Sequence, residues 1–144
     1  MPNVSVREEL ETSADLVWAE IQDFGTTQAW LPAAKVVDIQ GAGAGAVRRV
    51  QIQENIIEER CEAHDPAARR FSYRLLSEVP EIRDYRAAVE VEALSDGSSA
   101  LTWSCSFDCA PDAESELRKR YEDLYRDVFI ASVREHLAAL AARG

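Results

Sequence analysis

Apolar residues along this chain follow two different periods. From Asn3 to Leu10 they alternate, Val4 and Val6 against Ser5 and Arg7, which predicts a first strand. Thr12-Ser13-Ala14-Asp15 then offers a helix cap, and Leu16, Val17, Ile21 and Phe24 form a short helical stripe with Trp18 beside it. Gly25 is read as its end, and a second short helical turn spans Thr26 to Trp30 before Pro32. Six strand candidates follow: Ala34–Gln40, Val47–Gln53, Ile56–His64, Arg70–Leu76, Tyr85–Leu94 and Ala100–Cys109. The separators carry turn chemistry: Gly41 to Gly45, Asp65-Pro66, Pro80 and Asp96-Gly97. The glycine run joins two strands and opens no helix, so it reads as a flexible hairpin connection and not as a phosphate loop.

The period then changes. From Asp112 to about Ala142 there is no Gly or Pro, and Leu117, Tyr121, Leu124, Tyr125, Val128, Ser132 and Leu137 or Leu140 recur at helical spacing. Neither a long striped helix nor a strand-rich sheet can bury its apolar side alone. The pattern predicts one α+β domain, residues 1–144, in which seven strands form a curved antiparallel sheet gripping the C-terminal helix, with two short helices after the first strand. Such a sheet leaves room between itself and the helix.

Charge narrows the list of occupants. With 16 basic and 26 acidic residues the chain carries a net charge of −10. That opposes nucleic acid and anionic membrane surfaces, both of which need a basic footprint. The Arg118-Lys119-Arg120 cluster shares its helix with Glu114, Glu116, Glu122 and Asp123, and reads as a solvated face. Cys61, Cys105 and Cys109 are odd in number and lack metal-ligand spacing, and reduced thiols suit a cytoplasmic protein. No signal-peptide pattern opens the sequence, because Arg7, Glu8 and Glu9 interrupt it, and no apolar run nears the ~18 residues of a membrane span. No cofactor or metal is expected. A homodimer stays open as an assembly.

In order and spacing, VWAEIQDFGTTQAWLP at 17–32, GAGAVRRV at 43–50, EERCEAHD at 58–65, FSYRL at 71–75, the Pro80-to-Tyr85 spacing and LTWSCSF at 101–107 resemble the SRPBCC superfamily, also called START/Bet v-like or helix-grip. Within it the chain looks most like the bacterial polyketide cyclase/dehydrase group and, more distantly, the plant abscisic acid receptors. The resemblance implies a deep apolar cavity for a small hydrophobic or amphipathic ligand. Two departures stand out. Glu54-Asn55 replaces the small Gly/Pro turn that gates the cavity in the receptors, and Glu78, Glu81 and Asp84 make the surroundings of Pro80 acidic.

Strand alternation assigns the cavity wall. Val50 and Ile52 share a face with Arg48, and Ile57, Cys61 and Ala63 share one with Glu59; His64 falls on the other side. With a turn at Glu54-Asn55, residue 50 opposes 59 and Arg48 is its diagonal neighbour, so an Arg48–Glu59 pair is expected. It either serves the cavity or closes one end of the barrel in wet surroundings. The same parity puts Phe71, Tyr73 and Leu75, then Tyr85, Ala87, Val89 and Val91, then Leu101, Trp103, Cys105 and Phe107 on the inner face. Tyr121, Leu124, Tyr125 and Val128 form the opposite wall, and Trp30, Leu31, Pro32 and the 78–84 loop the entrance. The histidines, His64 and His136, carry no catalytic or metal constellation, and Ser72, Ser104 and Ser106 face outward.

Two functions fit. One is a carrier or sensor whose apolar walls give affinity, with Arg48 holding a ligand carboxylate or phenolate and Glu59 orienting it. The other is a cyclase or aromatase in which Glu59 is the base and Arg48, Tyr73, Tyr85, Tyr121 or Tyr125 the donor to an enolate oxygen.

Overall fold

Among residues 2–143, which the computed structural model describes, seven strands form: β1 Asn3–Leu10, β2 Ala34–Gln40, β3 Val47–Ile52, β4 Asn55–Asp65, β5 Arg70–Leu75, β6 Arg83–Ala93 and β7 Ser99–Asp108. They pair antiparallel in the spatial order β1-β7-β6-β5-β4-β3-β2, so the first strand docks on the last and β1 and β2 are the edges. Inward residues of β7 alternate strictly: Leu101, Trp103, Cys105 and Phe107 are buried.

Three irregularities bend the sheet and interrupt simple alternation. The register slips between Val36 and Asp38, between Cys61 and Ala63, and between Arg83 and Arg86. The second corrects the expected parity of β4. Glu62 is the extra residue, so Ala63 pairs with outward Ser72, while His64 pairs with buried Phe71 and lies over Trp18 at 5.4 Å. The β3–β4 turn also sits one residue earlier in the chain than expected. Ile52 pairs with Asn55 across Gln53-Glu54, where Gln53 takes a φ of 56°. Arg48 is therefore directly opposite Glu59, not diagonal to it, and Val50 opposes Ile57.

Helix α1 spans Ala14–Ile21, with the Ser13 side chain accepting from the Leu16 N–H at 3.4 Å. Ala14, Val17 and Ile21 are buried, as is Phe24 beyond the helix, so of the expected stripe Leu16 alone, at 47% exposure, faces solvent. The helix stops before Phe24, and a 3-10 turn at Thr27–Ala29 follows.

After a 3-10 turn at Pro111–Ala113, the C-terminal helix runs as α2 Glu114–Asp123, a π-helical stretch Leu124–Ile130, and α3 Ala131–Arg143. Glu114 and Glu116 in the first turn suit the positive end of the helix dipole. Arg118 Nη1 donates to the Asn3 carbonyl at 3.1 Å and Arg134 Nη2 to the Glu9 carbonyl at 2.9 Å. Sixteen helical residues span about 24 Å and six strand residues about 20 Å, so the helix runs along β1 in the same direction. Its buried residues are Leu117, Tyr125, Ile130, Val133 and Leu137. Tyr125 to Ile130 is a step of five, which the wider π turn accommodates. The expected stripe fails at this point: Val128 is 41% exposed, on the solvent side. No helix among the described residues is long and apolar enough to cross a membrane.

Candidate functional site

Two opposite charges sit inside the curve of the sheet. Arg48 on β3 and Glu59 on β4 are 8% and 7% exposed. Arg48 Nε and Nη2 both reach Glu59 Oε1, at 2.9 and 2.8 Å. Nη1 donates to the Phe24 carbonyl at 3.1 Å and to Thr27 Oγ1 at 2.7 Å. The guanidinium carbon lies 3.7 Å from the Phe24 ring centroid and 5.3 Å from that of Tyr73. A buried ion pair persists only where such extra bonds replace lost water. The loop after α1 supplies them, which is why the chain leaves helix at Ile21 and turns through Phe24 and Thr27.

Above the pair lies a cavity of about 60 Å³. Its polar end is Arg48, Glu59 and Thr27, and its aromatic wall is Trp30, Phe71, Tyr73, Trp103 and Phe129. Ile21, Leu31, Ala34, Val50, Ile52 and Ile57 complete the lining. Ile52 is exposed while Ile57 and Phe129 are half-buried, so the mouth lies on this side. Trp30 packs on Trp103 at 5.5 Å between centroids, and Trp103 on Phe129 at 5.0 Å. Tyr73 accepts a hydrogen bond from Trp103 Nε1 at 3.2 Å. Burial, with the Glu59 charge adding to it, holds the Tyr73 phenol far above its ordinary pKa.

Of the residues expected at a ligand, Arg48, Val50, Glu59, Tyr73, Trp103 and Trp30 line this cavity. Cys61, Leu75, Ala87, Val89, Tyr85, Tyr121, Leu124, Tyr125 and Val128 do not. Large side chains fill the space between those positions. Tyr85 and Tyr125 share a hydroxyl–hydroxyl hydrogen bond, and Tyr121 packs on Tyr85 and on Phe107, both at 5.3 Å. Burial pushes the Tyr85 and Tyr125 phenols well above their usual range. The 78–84 loop lies apart from the mouth; Glu81 bonds Arg120 on α2 at 3.0 Å. Pro32 is not in the lining, although Leu31 is.

Thr27 and Phe129 were not expected at the site, and Phe24 was expected only in the α1 stripe. Phe129 had a signal: Leu117, Tyr121, Tyr125, Phe129, Val133 and Leu137 recur every four residues, a cadence hidden by looking for 3.6. Thr27 and Phe24 had none, because they act from a loop. His136 bonds Glu20 on α1 at 2.7 Å and His64 bonds Gln22 at 2.9 Å, and neither histidine lines the cavity. Among the described residues no group of His, Cys, Asp and Glu could hold a metal ion.

Residues 1–143 match the family described as polyketide cyclase / dehydrase and lipid transport. The chain belongs to this family. No curated protein matches the sequence. Among solved structures, the solution structure of a Thermobifida fusca protein is 28% identical, with a TM-score of 0.81 over 97% of this chain and 95% of that one. The di-domain ARO/CYC protein BexL of the BE-7585A biosynthetic pathway is 16% identical, with a TM-score of 0.81 over 96% of this chain and 47% of BexL. A START superfamily protein from Mycobacterium smegmatis is 16% identical, with a TM-score of 0.74 over 96% of this chain and 98% of that one. The last two share the fold. This member of the polyketide cyclase/dehydrase family thus has the START-like helix-grip architecture, with its inner face nearly filled by aromatic side chains.

Proposed function

We propose that this chain binds a small hydrophobic or amphipathic molecule in the Arg48–Glu59 cavity, as a carrier or sensor. The observation that carries the reading is one enclosed ion pair, with Thr27 beside it, at the foot of an aromatic-walled cavity. Apolar walls with a few fixed polar groups are the general form of a small-molecule site. At about 60 Å³ the space is far below the roughly 300–1,000 Å³ of sites for drug-sized ligands. A one-ring guest therefore requires the side chains at the mouth, Ile52, Ile57 and Phe129, to give way. The cyclase reading asks for a base and an enolate donor in one space, and only Glu59, Arg48 and Tyr73 of its candidates share the cavity. Oε1 of the base is already bonded to the cation, so binding is the reading favoured.

Native mass spectrometry of protein purified without added ligand, set against the denatured mass, tests it. A reproducible co-purified small molecule of several apolar carbons is expected. A bare mass, followed by no spectral change on adding single-ring hydrophobic compounds, would refute it.

A further inference from the structure

Arg48 has little left to offer a guest. Its guanidinium carries five N–H donors. One from Nε and one from Nη2 go to Glu59 Oε1, and two from Nη1 go to the Phe24 carbonyl and Thr27 Oγ1. Its flat face is covered by the Phe24 ring. The group is part of the wall.

Glu59 is the opposite case. Its bonds end on Oε1, and among the described residues no donor is bonded to Oε2. The Glu59 side chain keeps 10% of its surface exposed. Glu59 lines the cavity, which is where that access lies. A carboxylate oxygen only accepts hydrogen bonds, so the free polar atom at the foot of the cavity calls for a donor.

Charge points the same way. Arg48 and Glu59 sum to zero. A carboxylate guest would leave one negative charge unbalanced among Trp30, Phe71, Trp103 and Phe129, and an unpaired buried charge is very unfavourable. The chain's net charge of −10 also opposes its approach. A neutral hydroxyl adds no charge and gives Oε2 a charge-assisted bond.

We propose that the cavity selects a neutral hydroxyl-bearing guest, a phenol or an alcohol, and rejects the matching carboxylate, with Glu59 setting the choice. The inference rests on the cavity binding a small molecule at all, and it reverses the polarity expected from sequence, in which Arg48 grips an acid.

The experiment uses three isosteres, p-cresol, toluene and p-toluate, titrated at about pH 7.5, where a phenol stays protonated and a carboxylate does not. The readout is the NMR signal of the Trp30 and Trp103 indole N–H groups, with Trp18, which is outside the lining, as internal reference. Cresol should bind about ten- to a hundredfold more tightly than toluene, the increment of a hydrogen bond to a charged group. Toluate should bind more weakly than toluene. In Glu59→Gln the cation is unbalanced, so toluate should gain about tenfold and cresol lose its advantage. If that variant does not fold, the three-probe comparison on the unaltered chain decides alone. Toluate equal to cresol, or cresol equal to toluene, overturns the selection by Glu59 and leaves the cavity as a binding site. Silence from all three probes overturns the cavity reading and this inference with it.

Discussion

Removing Arg48 alone tests whether the ion pair is enclosed. In Arg48→Met the apolar stem is kept and the guanidinium lost. Glu59, whose side chain is 10% exposed, would lose its salt-bridge partner, and the Phe24 carbonyl and Thr27 hydroxyl each lose a donor. Breaking a buried pair on one side costs about 3–5 kcal/mol. For 144 residues the unfolding entropy is about 0.3 kcal/mol per kelvin, so the melting temperature should fall by about 10–17 °C. Glu59→Leu should cost a similar amount by stranding the cation. The double variant should lie within about 1–2 kcal/mol of the unaltered chain, because it strands neither charge. Urea unfolding followed by tryptophan fluorescence, with the slope checked for constancy, measures all three. If Arg48→Met costs under about 1 kcal/mol, the range of a surface pair, water reaches both groups and the enclosure argued above is wrong.

The π-helical stretch makes a pair of contrasting predictions on one helix. Val128→Lys should change stability by no more than about 0.5 kcal/mol, whereas Ile130→Ala should cost about 2–5 kcal/mol; equal costs in urea titrations would contradict the assigned faces. Stability should fall as pH rises above about 10, because Tyr73, Tyr85, Tyr121 and Tyr125 all have raised pKa values in the folded chain while the unfolded chain ionises first and then holds fewer protons. Below that pH the contribution is complete. Absorbance near 295 nm should show phenolate only together with unfolding, and a reversible titration near 10 in the folded state would count against this. Burial raises the thiol pKa of Cys61 and Cys105, so a thiol reagent should modify half-buried Cys109 first and the other two only on unfolding. Rapid reaction of all three under native conditions would be the contrary result.

Element type and order were legible because strand and helix periods differ and the separators are rich in Gly, Pro and Asp. The Arg48–Glu59 pair was legible because two charges interrupt apolar alternation on neighbouring strands, and parity survives a small error in the turn. The turn itself, at Gln53-Glu54, was not legible, since neither residue is a usual carrier of positive φ. His64 was misassigned because a bulge at Glu62 leaves no trace in the alternation of the residues around it. The extent of the cavity was beyond reach for a different reason. Inward parity says which side chains face the helix, but Tyr85, Tyr121 and Tyr125 meet one another there, and how much room is left depends on rotamers.

The π-helical stretch Leu124–Ile130 also acts as a phase adjuster. On one side of it, Arg118 is moored to Asn3 and Arg120 to Glu81; on the other, Arg134 is moored to Glu9 and His136 to Glu20. A one-residue deletion within the stretch would return it to ordinary helix with both sets of moorings in phase, whereas the same deletion outside it would rotate one set by about 100° against the other. The side chains that roof the cavity from the helix are thereby uncoupled from the contacts that fasten it. Phe129 can be altered with both ends still tied down. A change in the cavity's wall therefore has a natural place to occur, in the seven residues where the helix keeps no fixed clock.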